Sequence, residues 1–177
     1  MAGNAIVRER QAPLRAQYKE APETAWITDC AKKIGDNLAD PYHGKLLPGE
    51  GHNVKWGFGV HQAVGGLHDA PVPGDILCAA LAACQESAIR MVANILDIDL
   101  TSLDVEVTAD IDVRGTMAVE REVPVGFQSM RCQVNLKTAE GTDPKLVMKL
   151  VKGAEHCCVV LQTLRSGVAV ETEFHVD

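Results

Sequence analysis

Between Ile76 and Ala83 every residue is apolar, and this run predicts the element around which the rest of the chain is arranged. Ala and Leu are the strongest helix formers. A helix apolar on all its sides is expected to be buried all round, inside a domain or between two chains. Pro73 suits its first turn, and Asp75 puts a carboxylate where the helix dipole favours one, so the helix is read over Pro73–Leu96. Steps of three, four, seven and eleven residues from Cys84 reach Leu77, Ala80, Leu81, Ala88, Met91 and Ile95. The thiol is thus expected on an apolar stripe, where a cysteine is ordinarily a small core residue.

Alternation with a period of two predicts strands elsewhere. The clearest covers residues 103–114, with Val105, Val107, Ala109, Ile111 and Val113 facing one way and Glu106, Thr108, Asp110, Asp112 and Arg114 the other. Residues 129–137 follow the same plan, with Cys132 on the core face. Residues 54–60 read as a strand weakened by two glycines, and 168–176 as a last strand with Val168, Val170, Thr172, Phe174 and Val176 on one face. Helical spacing returns after Asp143, an N-cap followed by Pro144 at the first helical position. Its buried stripe is Leu146, Val147, Leu150, Val151 and Ala154. Gly153 is expected to break or kink it before a second piece over 155–165 that ends at Gly167. Near the N-terminus, residues 22–34 predict a short amphipathic helix burying Trp26, Ile27, Cys30 and Ile34. Residues 1–50 are read as an N-terminal extension, partly helical, and 51–177 as the main domain. The order of elements is α+β, with helices on one side of a largely antiparallel sheet.

Composition narrows the function. A chain of 177 residues with 46% apolar and 23% charged residues is one globular domain of ordinary size. A formal charge of −7 argues against nucleic acid and anionic membrane as partners, since both reward clustered Lys and Arg. The longest apolar run is too short for a membrane span, and the first residues lack the charged-then-apolar plan of a signal peptide, so a cytoplasmic location is expected. Six cysteines are then expected as reduced thiols. None forms a Cys-x-x-Cys motif, and His61 and His68, seven apart in a Gly-rich loop, are weak as metal ligands; no metal or other cofactor is expected.

Two stretches together resemble the OsmC/Ohr family (osmotically inducible and organic hydroperoxide resistance proteins). The first runs from Pro73 through the Ala-rich helix to a Cys eleven residues later, Cys84. The second is 157–164, where the register that keeps Val160, Thr163 and Leu164 in place puts the family's second Cys at Cys158. The resemblance also covers Val64, Gly65 and Gly66 before the helix and Gly167 and Val168 near the end, and spans roughly residue 53 onward. It implies an OsmC-like fold, an intertwined homodimer with its central helices buried at the subunit interface, and both thiols in one pocket.

The chemistry it implies is thiol-dependent reduction of organic hydroperoxides, with Cys84 as peroxidatic and Cys158 as resolving thiol and an external dithiol as reductant. Cys157 is an alternative partner thiol. The family activates its first Cys with an Arg held by a Glu directly after the Pro; here that position is Gly74, and the neighbouring carboxylate is Asp75, a stand-in or an ordinary first-turn acid. Arg8, Arg10 and Arg15 lie in the N-terminal half, with no motif to choose among them. The family's Pro after the second Cys is Val159 here. Two other readings stay open. One is a non-enzymatic dimer of this fold that binds a small apolar ligand or senses redox state. The other is a thiol–disulfide reductase without peroxide preference.

Overall fold

The computed structural model describes residues 5–35 and 37–176, and the chain divides into two compact units. One unit comprises the segment up to Glu9, Ala80–Glu106 and residues 133 onward; the other comprises Arg10–Ala79 and Val107–Cys132.

The second of these holds a three-stranded antiparallel sheet of β1 (Ala31–Ile34), β2 (Gly44–Pro48) and β3 (Trp56–Phe58). The expected strand at 54–60 is therefore present but short. Upstream, α1 (Ile6–Glu20) is a helix that the hydrophobic pattern did not predict, because it buries no residue and so leaves no apolar stripe to read. The helix expected at 22–34 is absent. A 3-10 turn over Pro22–Ala25 gives way to extended chain and β1, and Trp26 and Ile27 are 87% and 78% exposed. The helical spacing there had no surface to bury against, and Ala31–Ile34 found a strand partner instead.

The element α2 (Pro73–Leu96) matches its expected limits. It is also the one helix among the described residues that is long and apolar enough to cross a membrane, by length and composition only. The carbonyl of Val72 accepts from Ile76 N–H, which makes Val72 the N-cap, and Asp75 reaches back so that Val72 N–H donates to Oδ2 at 2.9 Å. This is the return half of a capping box. At the other end Asp97, at φ 57°, takes the left-handed C′ position. Its N–H donates to Asn94 C=O at 3.3 Å and Ile98 N–H to Ala93 C=O at 2.9 Å, the pair of bonds of a Schellman motif. Ile98 is buried just beyond.

β4 (Leu100–Asp110) and β5 (Ser129–Thr138) form a two-stranded sheet. Gln128 N–H donates to Asp110 C=O and Ala139 N–H to Asp99 C=O, so the strands run antiparallel. The alternation holds along both, with Val105, Val107, Ala109, Met130, Cys132, Val134 and Leu136 on the less exposed face. The strand stops four residues earlier than expected, because Asp112 caps the short α3 (Val113–Thr116) by accepting from Arg114 N–H.

Asp143 caps α4 (Pro144–Cys157) as the sequence predicts, its side chain accepting from Lys145 N–H. Gly153 does not break this helix. A Cβ there would stand 3.2 Å from Val92 Cγ1 of α2, so the glycine's role is close approach of two helices. Leu150 and Ala154 are fully buried, while Val151, expected on the same stripe, is exposed. The break falls at Cys158, and α5 (Val159–Ser166) follows, ending at Gly167 with φ 71°. Residues 168–176, expected as a strand, have no strand partner among the described residues and are exposed, Phe174 at 85%.

Candidate active site

The buried face of α2 is Leu81, Gln85, Ala88, Ile89 and Ala93. It is turned one position from the stripe expected through Cys84: Ala80 and Met91, expected inside, are exposed. Cys84 is therefore half-buried at the flank of the core rather than in it. On a 100° per residue helix, one step moves a side chain from the core to its edge.

Cys158 has the opposite placement. It is 0% exposed and stands at the corner between α4 and α5, where its backbone (φ −75°, ψ 99°) leaves the helical region. Three bonds fix this corner. Gln162 N–H donates to Cys158 C=O at 3.0 Å, Gln162 Nε2 donates to Glu155 C=O at 2.9 Å, and Arg165 pairs with Glu155 at 2.7 Å. Cys157, the last residue of α4, is exposed. Cys84, Cys157 and Cys158 all belong to the same compact unit.

Asp75 belongs to the other unit and its carboxylate is engaged in the helix cap. That is the ordinary first-turn role the sequence left open. Beside it, a Cβ on Gly74 would come within 3.0 Å of Phe127 Cζ. The Phe127 ring thus takes the space that a side chain at this position would enter, and this steric exchange accounts for a glycine where the resemblance expects a glutamate. Cys78 is half-buried, and burial, followed by the Asp75 carboxylate, raises its pKa; burial alone does the same for Cys132. Both shifts suppress the thiolate. Cys30, expected inside a helix face, is exposed.

The arginines of the N-terminal half are accounted for in part. The Arg8 guanidinium donates to Ile95 C=O at the C-terminal end of α2. Ile95 lies eleven residues beyond Cys84, about 16 Å along a helix axis. Arg15 donates to Gln11 within α1. Arg90 pairs with Glu86 across one turn at 3.3 Å, as their spacing predicts.

Two features were missed in the sequence. Gln85, next to Cys84, is 6% exposed, and its Oε1 is buried without a hydrogen-bond partner. A polar residue in the middle of the α2 stripe was its only signal. The second is a cleft of about 750 Å³ lined by Ile6, Glu86, Arg90, Met91, Asn94 and Leu103 among others. Among the described residues that line it there is neither Cys84 nor Cys158.

A family described as OsmC-like protein matches residues 66–173 of the sequence. Among curated proteins none matches. Solved structures share the fold. An OsmC-like protein from Mycoplasma pneumoniae aligns with a TM-score of 0.62 at 10% identity, over 80% of this chain and 89% of that one. An organic hydroperoxide resistance protein OsmC from Legionella pneumophila gives 0.58 at 24% identity, over 80% and 91%. An organic hydroperoxide resistance protein from Elizabethkingia anophelis gives 0.57 at 17% identity, over 81% and 91%.

Proposed function

The chain belongs to the OsmC-like protein family, and from that premise we propose that it is a cysteine-based peroxidase that reduces organic hydroperoxides. The observation that carries the reading is the presence of both motif cysteines in one compact unit, Cys84 half-buried on α2 and Cys158 sealed at the α4–α5 corner. The Cys84 thiolate attacks the terminal oxygen of the hydroperoxide, the O–O bond breaks, and the alcohol leaves with a proton. The resulting sulfenic acid condenses with the Cys158 thiol, releasing water and forming a disulfide before further oxidation becomes irreversible. An external dithiol returns both sulfurs to thiols. The sealed Cys158 suits the resolving role, because a thiol closed to solvent meets peroxide rarely and the neighbouring sulfenic acid first. The reaction calls on no metal or organic cofactor.

We further propose a homodimer, supported by the apolar side chains that one chain leaves exposed on residues 168–176 and at Trp26 and Ile27. Six cysteines in a chain of 177 residues with no Cys-x-x-Cys motif favour a reducing compartment, the cytoplasm.

A second reading has a specific observation in its favour. With Gly74 where the family has its glutamate and Asp75 drawn into the helix cap, the helix start lacks the family's holder for an activating arginine. A dimer that binds a small apolar molecule or senses redox state needs none. Peptide mass mapping after one equivalent of cumene hydroperoxide, on the wild type, Cys84→Ser and Cys158→Ser, separates the two. The peroxidase gives a Cys84–Cys158 disulfide in the wild type alone, with peroxide consumed in proportion. Persistence of the peroxide beside a free Cys84 would leave the binding reading in its place.

A further inference from the structure

We infer that Cys157 is a relay thiol, which takes the disulfide over from the sealed Cys158 and presents it to a dithiol in solution. The inference rests on the peroxidase reading and concerns the reductive half of that cycle. Of the three cysteines in this unit, Cys157 is the exposed one, Cys84 is half-buried and Cys158 has no exposed surface.

Thiol–disulfide exchange depends on which sulfur is attacked and on access to it. In a Cys84–Cys158 disulfide one sulfur would be closed to any reductant from outside, and the other lies at the flank of an apolar core. Cys157 is joined to the sealed residue through a single peptide, about 3.8 Å between Cα atoms, so it is held beside that disulfide at all times. The two thiols also stand on either side of a helix boundary. The α-helix ends at Cys157, and Cys158 is extended rather than helical, so the two side chains are not locked at the fixed angle of neighbours within one helix.

The exchange balances without an added oxidant. Cys157 gives up its proton and its thiolate attacks Cys84 Sγ. The Cys84–Cys158 bond breaks as the Cys84–Cys157 bond forms, and Cys158 leaves with the electron pair and takes up a proton. The dithiol then attacks Cys157 Sγ at the surface, and Cys84 departs as the thiolate, the form that meets the next hydroperoxide. The second thiol of the reductant displaces Cys157 and closes the reductant's own disulfide. Two electrons have passed from dithiol to protein.

The test uses the wild type, Cys157→Ser and Cys157→Ala, each oxidised with one equivalent of cumene hydroperoxide and then reduced with dithiothreitol. All three are expected to form the Cys84–Cys158 disulfide, which also reports that the variants are folded. Re-reduction is expected to slow by about tenfold or more in both variants, because the accessible sulfur is gone. Wild-type protein quenched with acid early in reduction should contain a Cys84–Cys157 disulfide, a species that a merely structural Cys157 would not produce. Reduction of both variants within about twofold of the wild-type rate overturns the relay and leaves the peroxidase standing. Oxidised wild type that holds a Cys84–Cys157 disulfide and no Cys84–Cys158 disulfide overturns the relay and leaves a peroxidase with Cys157 as resolving thiol, whereas absence of any Cys84 disulfide removes the peroxidase reading, and the relay with it.

Discussion

At the scale of single residues, the most specific polar arrangement involves none of the thiols. His43 is held between two carboxylates, with Nδ1 2.8 Å from Asp40 and Nε2 2.9 Å from Asp69. A neutral imidazole has one N–H and can donate to only one of them, so the arrangement is complete only when the ring is protonated. The bond to Asp69, then that to Asp40, raises the His43 pKa above 6.5; His43 in turn lowers Asp69 below 3.8, while the Tyr42 N–H, followed by His43, lowers Asp40 below 3.8. The signs follow from linkage. The His43 contribution to stability is fully present below pH 6.5 and is lost as pH rises through the raised value. The Asp contributions are present above pH 3.8 and are lost as pH falls through the lowered values. The clamp therefore works between about pH 4 and somewhat above 6.5, the reference values of the free groups. An NMR titration should place the His43 midpoint above 6.5 and lower it in Asp69→Asn, with Asp40 still holding part of the elevation; a midpoint at or below 6.5 in the wild type would contradict the clamp. Nothing in the spacing of Asp40, His43 and Asp69 announced this contact, since 26 residues separate the two ends of it.

Elements were legible where local chemistry and a packing surface agree. Pro73 and Asp75 mark the start of α2, and Asp143 with Pro144 marks that of α4; both starts stand where the sequence puts them. β5 alternates as read, from Ser129 to Thr138. The failures share one cause. Residues 22–34 and 168–176 carry apolar periodicity, but a period states only which side chains would be buried together, never against what. Gly153 fails in the other direction, because its reason lies on Val92 of another helix. The rotation of the α2 stripe from Cys84 to Gln85 has a similar origin: a helix apolar on every side gives its sequence no means of choosing a face. The capping box can be tested directly. Asp75→Ala should cost about 1 kcal/mol in urea unfolding, since Val72 N–H loses its acceptor, whereas Asp75→Asn keeps an oxygen there and should cost less than half of that. Equal stability of all three proteins would mean that Asp75 is not stabilising the helix start.

At the scale of the whole molecule, the exposed apolar side chains argue for a second copy of the chain. Val168, Val170, Phe174 and Val176 are 69% to 90% exposed along a segment whose alternation is that of a strand. A strand without a neighbour leaves its backbone groups to water and its apolar face unburied, and within the described residues no strand accepts it. Trp26 and Ile27 repeat the situation at the other end of the sequence, again in extended chain. Surface apolar residues scattered singly need no explanation, but runs of them in segments of strand-like pattern do. Exchange of such segments between two copies would bury both runs and provide the strand partners in one step, which is the intertwined homodimer proposed above. Light scattering on the purified protein should then give the mass of two 19.0 kDa chains. A chain shortened to end at Gly167 should shift toward the monomer at the same concentration, because the segment it lacks would carry part of the contact. A wild type that is monomeric at micromolar concentration would sink the dimer. A shortened chain that remains as tightly dimeric as the wild type would instead move the contact to α2, where Ala79, Ala80, Ala83 and Met91 form the exposed apolar side of the helix.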